Sequence, residues 1–195
     1  MTQQTNAAQA RRSYRSNVRM LCEGALFVAA ALVLDMIPLW EMPWGGSISL
    51  CMAPFFFFAC RWGLGPGLLG GFVLGVLEFM FDGGFALGWQ SIIGDYLVAF
   101  TVLGLAGLFR GKNWSIFAGT VVGCAARFLV HYVVGATIWA EYMPDVFFGM
   151  TMTTPWFYSL LYNGFYMGID MVVCLVIFAL LLKPMKKYFL AQDLR

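Results

Sequence analysis

The sequence predicts an all-α membrane protein with six transmembrane helices and both termini in the cytoplasm. Of its 195 residues, 61% are hydrophobic and 11% are charged, whereas an average soluble domain has about 25% charged residues. A globule of this size cannot bury so many apolar side chains, but a bilayer accepts them on the outer surface of a protein. The composition therefore excludes a water-soluble single domain, and the net charge of +2 gives no indication of a nucleic-acid partner.

Six apolar stretches follow one another between Gly, Pro and charged residues, and a spanning helix needs about 20 such residues. They cover residues 20–39, 47–62, 64–81, 90–109, 115–139 and 157–182, and the second and third are separated by Arg61-Trp62-Gly63 and Pro66. The chain is accordingly divided into a basic tail at 1–19, one transmembrane domain at 20–183 and a second tail at 184–195.

The charges at the breaks between these spans give the orientation, because Lys and Arg are retained on the cytoplasmic side. Eleven of the 12 basic residues fall on one side, at Arg11, Arg12, Arg15, Arg19, Arg61, Arg110, Lys112, Lys183, Lys186, Lys187 and Arg195. The opposite breaks carry acids, with Glu41 after the first span, Asp82 after the third, and Glu141 and Asp145 after the fifth. Both termini are therefore expected in the cytoplasm, which requires an even number of spans.

Several polar residues lie inside the predicted spans at one depth. At 1.5 Å per residue they fall within roughly 12 Å of the outer boundary: Glu78, Asp95, Tyr96, His131, Tyr158 and Asn163. His131, Gly135 and Trp139 are spaced four residues apart on one face of the fifth helix, where Gly135 leaves room beside the indole ring. Because ionisable groups inside a bilayer usually face a cavity or a partner, this layer is the candidate site. Its chemistry suits a flat heteroaromatic cation.

Simpler interpretations stand beside this one. Trp139 and Tyr158 also fit the aromatic belt of a membrane interface, and His131 fits an interhelical hydrogen bond. The five cysteines lie in apolar stretches, which predicts packing residues rather than disulfides or a metal site.

Other charged residues inside the spans are given structural roles. Arg127 is expected to form an ion pair with Asp170 or Glu78. Glu23 and Asp35, near opposite ends of the first helix, are expected to reach the membrane interface.

The sequence carries no signature of an enzyme. Gly111-Lys112 is followed by Asn113, which does not complete a phosphate-binding loop. Ser91 and Ser159 lack the context of an activated nucleophile, and a lone His makes a poor metal site. We expect a binding or translocating protein without catalytic or metal-binding residues. An intramembrane enzyme using His131 and a nearby carboxylate is the alternative.

Ala25 and Ala29 form a small-xxx-small face on the inner half of the first helix, of the kind that allows close contact between helices. An internal helix contact and docking to an energy-supplying partner protein both account for it.

Four groups of residues, taken together, carry a family resemblance. They are Arg19…Glu23-x-Ala25…Ala29, then Gly45-Gly46-Ser47-Ile48-Ser49-Leu50-x-Met52-x-Pro54, then Asp95-Tyr96-x-x-Ala99-Phe100 with Gly104-Leu105-Ala106-Gly107, and finally Arg127-x-x-x-His131-x-x-x-Gly135-x-x-x-Trp139 with Tyr158-Ser159-x-x-Tyr162-Asn163. The combination resembles the thiamine-specific substrate-binding subunits (S-components, ThiT type) of energy-coupling factor (ECF) transporters. It covers about residues 19–170.

The resemblance implies the six-helix bundle of an S-component in the cell membrane of a prokaryote, with thiamine bound at the extracellular side and left chemically unaltered. It implies no cofactor. The partners would be a transmembrane coupling subunit, docked on Ala25 and Ala29, and two cytosolic ATPase subunits that use ATP. The same architecture adapted to another small vitamin or to a thiamine precursor is the alternative.

The resemblance also implies roles for residues of the site. Trp139 would stack on the aminopyrimidine ring, Tyr158 and Asn163 would hydrogen-bond to the ligand, and His131 and Tyr96 would line the thiazolium side. A Trp of the first loop, Trp44 or alternatively Trp40, would close over the site as a lid. The family usually has Glu where this chain has Asp95, which keeps the charge but shortens the side chain by one methylene.

Overall fold

The described part of the protein is a bundle of six main helices, given by a computed structural model. The structure describes the backbone of residues 2–43 and 45–194, and side chains from residue 14 onward within those ranges. The helices are α1 (Thr2–Asp35), α2 (Met52–Trp62), α3 (Leu64–Phe81), α4 (Trp89–Phe109), α5 (Ser115–Thr137) and α6 (Pro155–Phe189). Among the described residues, five helices are long and apolar enough to cross a membrane. The predicted all-α membrane fold is confirmed.

The second helix is shorter than predicted. The expected span at 47–62 begins as a strand, β2 (Ser47–Ile48), which pairs antiparallel with β1 (Trp40–Glu41). Only Met52–Trp62 is helical, and its length of about 16 Å is half of a bilayer core. Nearly all of its side chains are buried. The predicted boundary was wrong because hydrophobicity alone does not distinguish a lipid-facing stretch from one enclosed by other helices.

α2 supplies the centre of the hydrophobic core. Phe55 and Phe56 are fully buried, and they belong to one cluster with Leu74 of α3, Leu103 of α4 and Ile116 of α5. The longer helices surround this short one, so their outward faces are left for lipid.

The fourth helix changes its winding along its length. It holds seven π-helical residues, Ile92–Val98, and it ends as the 3₁₀ segment Val102–Phe109. π-helical turns are rare and frequently occur at functional sites. This one carries Asp95 and Tyr96, so an irregular turn presents two of the predicted site residues.

Glycines of α3 let α4 approach it closely. A Cβ atom at Gly71 would lie 2.4 Å from the Phe100 carbonyl oxygen, and one at Gly75 would lie 2.4 Å from the Tyr96 carbonyl oxygen. Any side chain at these positions would displace the backbone of α4. The small residues of α3 therefore fix the position of the π-helical turn.

An ion-pair network joins three parts of the chain at one end of the bundle. The Arg61 side chain, which is 3% exposed, contacts Glu23 of α1 at 2.7 Å and both carboxylate oxygens of Asp193 at 2.6 and 2.7 Å. Arg19 contacts the same two acids at 2.8 and 2.6 Å. Trp62 donates to Glu23 through its indole N–H at 2.8 Å. We call these five residues the Arg61 cluster. Glu23, expected at the membrane interface, is thus part of a structural network.

A second hairpin precedes α6. Its strands, β3 (Val146–Phe147) and β4 (Met150–Thr151), are antiparallel and are joined by Phe148 and Gly149. α6 then begins with an N-cap, because the Thr154 hydroxyl accepts a hydrogen bond from the Phe157 N–H at 3.1 Å.

Candidate binding site

A cavity of about 420 Å³ opens among the first loop and the facing ends of α3, α4, α5 and α6. This volume lies in the range of small-molecule binding sites. Seven of the eight residues predicted to contact a ligand line it: Asp95, Tyr96, His131, Gly135, Trp139, Tyr158 and Asn163. The structure therefore brings together residues that are up to 68 positions apart in the sequence. That they bind a ligand stays a prediction.

The eighth predicted residue, Trp44, lies outside the described residues. Its neighbours Pro43 and Gly45 line the cavity. Trp40, the other Trp named for the lid, is 63% exposed and does not belong to the lining residues.

The carboxylate of Asp95 is held by three side chains. One oxygen accepts hydrogen bonds from the Ser91 hydroxyl at 2.7 Å and from the Trp139 indole N–H at 2.9 Å. The other oxygen lies 3.1 Å from Nδ1 of His131. These contacts fix the carboxylate and the indole ring relative to each other, so the acid and the aromatic surface are preorganised.

Arg127 determines which nitrogen of His131 carries the proton. Its Nε–H donates to Nε2 of His131 at 3.3 Å. An acceptor at Nε2 leaves Nδ1 as the donor in the neutral ring, and Nδ1 faces Asp95. Arg127, His131 and Asp95 therefore form a directed chain of hydrogen bonds.

Arg127 does not form the predicted ion pair. Among the described residues, no carboxylate oxygen lies within 4.0 Å of it, whereas its guanidinium lies 4.2 Å from the centre of the Phe100 ring. Asp170 instead accepts a hydrogen bond from the Ser49 N–H at 3.0 Å. The expectation failed because a cation–π contact and an imidazole nitrogen provided alternative partners.

Asp35 lines the cavity rather than reaching the interface. Its carboxylate accepts hydrogen bonds from the Ser49 hydroxyl at 2.7 Å and the Ser47 hydroxyl at 3.4 Å. Asp35, Glu78 and Cys51 offer ligand atoms within 4.8 Å of one another, a grouping that could hold a cation. The depth argument that selected Asp95 applies equally to Asp35, but acids at helix ends commonly reach the interface, so sequence reasoning gave it the wrong role.

A row of tyrosines from α6 forms another wall. Tyr158, Tyr162 and Tyr166 follow one another every four residues and line the cavity. Tyr162 donates to the Gly45 carbonyl oxygen at 2.7 Å, which ties the first loop to this wall. The Tyr166 hydroxyl donates to the Asn163 side-chain oxygen at 3.0 Å. Tyr162 and Tyr166 were not among the predicted site residues, although their four-residue spacing from Tyr158 was a visible signal.

The side chains of Asn163 and Tyr96 are held in place by hydrogen bonds within the protein. The Asn163 amide nitrogen lies 3.0 Å from the Ser159 hydroxyl and 3.3 Å from the His131 carbonyl oxygen. The Tyr96 hydroxyl donates to the Asp82 carboxylate. Ser159 also fills the space beside Gly135, since a Cβ there would lie 2.5 Å from its hydroxyl oxygen.

The cavity is acidic. Its described lining includes Asp35, Glu41, Glu78, Asp82 and Asp95, against the single guanidinium of Arg127. Such a surface attracts a cation and repels an anion. The chemistry fits a cationic aromatic ligand that can stack on Trp139.

The predicted docking face lies on the outside of the bundle. Ala25 and Ala29 are exposed, as is Leu26 between them at 71%. In contrast, Gly24 faces inward, where a Cβ would lie 3.0 Å from the Phe58 ring. The alanine face is therefore accessible on the outer surface of the described helices.

Comparison with known proteins gives consistent results. The family described as thiamine transporter protein (Thia_YuaJ) matches residues 21–190. The thiamine transporter ThiT of Bacillus subtilis is 31% identical over 176 residues, covering 83% of this chain and 88% of the relative. ThiT of Lacticaseibacillus paracasei is 30% identical over 190 residues, covering 89% and 92%. A solved structure of ThiT from Listeria monocytogenes superposes with a TM-score of 0.78 at 27% identity, covering 89% of this chain and 98% of that one.

Proposed function

This chain belongs to the thiamine transporter protein family, and on that premise we propose that it is the thiamine-capturing S-component of an ATP-driven ECF importer. Its function is transport rather than catalysis, so the alternative of an intramembrane enzyme is not supported. Thiamine is captured from the extracellular side and is released without chemical change.

The fixed pair of Asp95 and Trp139 is the observation that carries this proposal. Thiamine combines a flat aminopyrimidine with a positively charged thiazolium ring. The aminopyrimidine stacks on Trp139, and Asp95 supplies the negative charge beside it, held in place by the 2.9 Å hydrogen bond. Tyr158 and Asn163 contribute polar contacts, while His131 and Tyr96 line the thiazolium side. The five acids of the cavity favour a cation overall.

The energy for uptake comes from partner subunits. The exposed face of Ala25 and Ala29 lets a helix of a transmembrane coupling subunit approach closely. Two cytosolic ATPase subunits bind and hydrolyse ATP. The S-component itself requires no cofactor for binding.

The protein resides in the cell membrane of a prokaryote with both termini in the cytoplasm. The placement of 11 of its 12 basic residues at one side of the predicted spans supports this orientation. A reporter fused after residue 195, active only in the cytoplasm, tests it, and a signal from a reporter active only outside would contradict it.

Tryptophan fluorescence titrated with thiamine tests the proposed ligand. Stacking on Trp139 is expected to quench the emission and to saturate at micromolar thiamine or below, with a smaller amplitude in the Trp139→Phe variant. The Trp156→Phe variant is the matched control, because Trp156 is not among the residues lining the cavity. No saturable response in the wild-type protein would refute the assignment to thiamine.

Two further measurements distinguish thiamine from other substrates and binding from enzymatic turnover. If a thiamine precursor or another vitamin saturates the response at lower concentration than thiamine does, the S-component assignment stands but the substrate changes. Mass spectrometry of the bound ligand is expected to return intact thiamine.

A further inference from the structure

The hairpin at residues 146–151 has an unusual residue at its turn. Phe148 and Gly149 connect the two strands, with φ angles of 51° and 74°. Positive φ at both central positions is the type I′ geometry, which strongly favours Asn-Gly or Gly-Gly. A bulky side chain in this conformation is a steric outlier. The turn therefore has a large apolar ring at a position where a water-exposed hairpin would carry a small polar residue.

The rest of the hairpin is also apolar on its open surface. Val146 is 59% exposed, Phe148 is 55% exposed and Met150 is 41% exposed. An exposed strand pair of this composition in water is prone to self-association. Its composition suits an apolar surrounding medium instead.

The two phenylalanines of the hairpin have ring centroids 4.2 Å apart and contact the same side of α6. Phe147 packs against Tyr158 and Tyr162, at centroid distances of 5.2 and 5.8 Å, and both tyrosines line the cavity. Phe148 packs edge-on against Phe165 at 5.0 Å, and Phe165, one turn beyond Tyr162, is 40% exposed. The hairpin thus lies along one side of α6, with Phe147 against two buried tyrosines and Phe148 against the exposed Phe165.

The depth of Phe165 follows from the position of Lys183. Lys183 is the first basic residue of α6 and belongs at the inner membrane interface. It follows Phe165 by 18 residues, a rise of about 27 Å, which is less than the ~30 Å of the hydrocarbon core. Phe165 therefore lies within the outer edge of the hydrocarbon, and the ring in contact with it lies at the same depth.

We propose that the 146–151 hairpin is a lipid-contacting element, with Phe148 among the acyl chains of the outer leaflet. Phe147 packs behind Tyr158 and Tyr162, which form the wall of the cavity at that side. The hairpin thus separates the cavity from the lipid rather than projecting into the aqueous phase. The inference requires a membrane-spanning α6 and is independent of which ligand the cavity takes.

Spin-label accessibility in lipid nanodiscs tests the proposal. The exposed Cys22 is first replaced by Ser. In this Cys22→Ser background the remaining four cysteines are at most 2% exposed and do not compete for the label. Labels are attached through Phe148→Cys, through Phe165→Cys as the lipid reference, and through Glu141→Cys as the aqueous reference. Molecular oxygen partitions into hydrocarbon, whereas a polar nickel complex is excluded from it by at least about tenfold.

The label at position 148 is expected to match the oxygen-to-nickel ratio at position 165 and to exceed the ratio at position 141 by about tenfold. A ratio at position 148 equal to that at position 141 would overturn the proposal. Low accessibility to both reagents would also overturn it, because protein rather than lipid would then cover the ring.

A second variant gives an independent result without a label. Phe148→Asn creates the Asn-Gly pair that type I′ turns prefer, so it relieves the backbone but places an amide at the tip. If the tip lies in lipid, the melting temperature in nanodiscs falls, and the Phe148→Leu control falls less. A rise in melting temperature for Phe148→Asn would show a tip in water and contradict the proposal.

Discussion

At the scale of single residues, the carboxylate of Asp95 is the group on which the site depends. Both of its oxygens are engaged, by Ser91 and Trp139 on one side and by His131 on the other. Asp95→Asn keeps the size but removes the charge, and it turns an amide N–H toward a neighbouring donor. A hydrogen bond to a charged group contributes about 1.5–3 kcal/mol, so thiamine affinity is expected to fall about 10- to 100-fold.

Isothermal titration calorimetry measures this change. Asp145→Asn is the control, because it makes the same substitution at an exposed loop position outside the cavity and is expected to leave affinity unchanged. Equal losses in both variants would mean that overall charge, rather than the position of Asp95, governs binding.

The proximity of residues could be predicted where depth along a helix was decisive, whereas their role in binding stays a prediction. His131 and Asp95 were chosen because regular helices convert sequence distance into depth, and the two side chains meet at 3.1 Å. The partner of Arg127 was predicted wrongly, since the choice among neighbours on several helices depends on side-chain rotamers. Asp35 was given the wrong role because its hydroxyl partners, Ser47 and Ser49, lie across a hairpin that hydropathy does not reveal.

At the scale of elements, the packing of α3 on α4 supports the site from behind. A Cβ at Gly75 would lie 2.4 Å from the Tyr96 carbonyl oxygen, so Gly75→Ala is expected to push the π-helical turn away from α3. Overpacking of this kind typically costs about 1–3 kcal/mol. We expect a lower melting temperature and weaker thiamine binding, because Asp95 moves with the turn.

Gly65→Ala is the matched control in the same helix. Nothing lies within 4 Å of a Cβ there, and the better helix propensity of Ala is worth up to about 1 kcal/mol. This variant is expected to be as stable as the wild type or slightly more so. If Gly65→Ala and Gly75→Ala were equally damaging, helix–helix proximity would not be the cause.

A substitution on the exposed alanine face of α1 is expected to separate thiamine binding from cellular uptake. Ala25→Leu adds bulk outside the bundle, so thiamine binding by the isolated subunit is expected to stay unchanged. Uptake by cells carrying the complete importer is expected to be lost, because close helix contact is prevented. Ala125→Leu, at an exposed position of α5, is expected to spare both. Normal uptake by Ala25→Leu cells would disprove the docking face.

Element prediction was most successful for the long helices. The bounds of α3, at 64–81, were predicted correctly, since Gly63 and Asp82 interrupt the apolar run on either side. The π-helical turn of α4 could not be predicted, because no local pattern in the sequence indicates it and its close contact with Gly75 joins two helices. The hairpin that replaces the start of the second span also depends on contacts between distant residues. Ser47 and Ile48 pair with β1, and Ser47 lines the cavity.

At the scale of the whole molecule, the Arg61 cluster connects α1, α2 and the turn at residues 192–194. Arg61→Met would leave Glu23 and Asp193 without their buried partner, and loss of one member of such a network costs about 3 kcal/mol or more. We expect a fall in the melting temperature measured in detergent, with thiamine affinity little changed because the cluster contributes no residue to the cavity lining.

Arg110→Met provides the comparison, because Arg110 is exposed. Substitutions at such surface positions usually change stability by less than about 0.5 kcal/mol. A similar destabilisation in both variants would attribute the effect to loss of positive charge at that side of the membrane rather than to the cluster.

The fold class of the molecule could be predicted because composition alone excludes a soluble globule, and because the lengths of the apolar runs limit the number of spans. The orientation in the membrane rests on the distribution of basic residues and stays a prediction. The connection from α1 through Arg61 to Asp193 could not be foreseen, since it joins residues with no common periodicity and separated by up to 174 positions.

The Arg61 cluster also has a consequence for the biogenesis of the protein. Asp193 is translated 132 residues after Arg61, so the two cannot meet until residue 193 has left the ribosome. During synthesis, α2 is too short to be held by the bilayer alone, and of the two acids that pair with Arg61 only Glu23 has yet been made. Completion of the Arg61 cluster therefore waits for the synthesis of residue 193, long after α2 itself has been made.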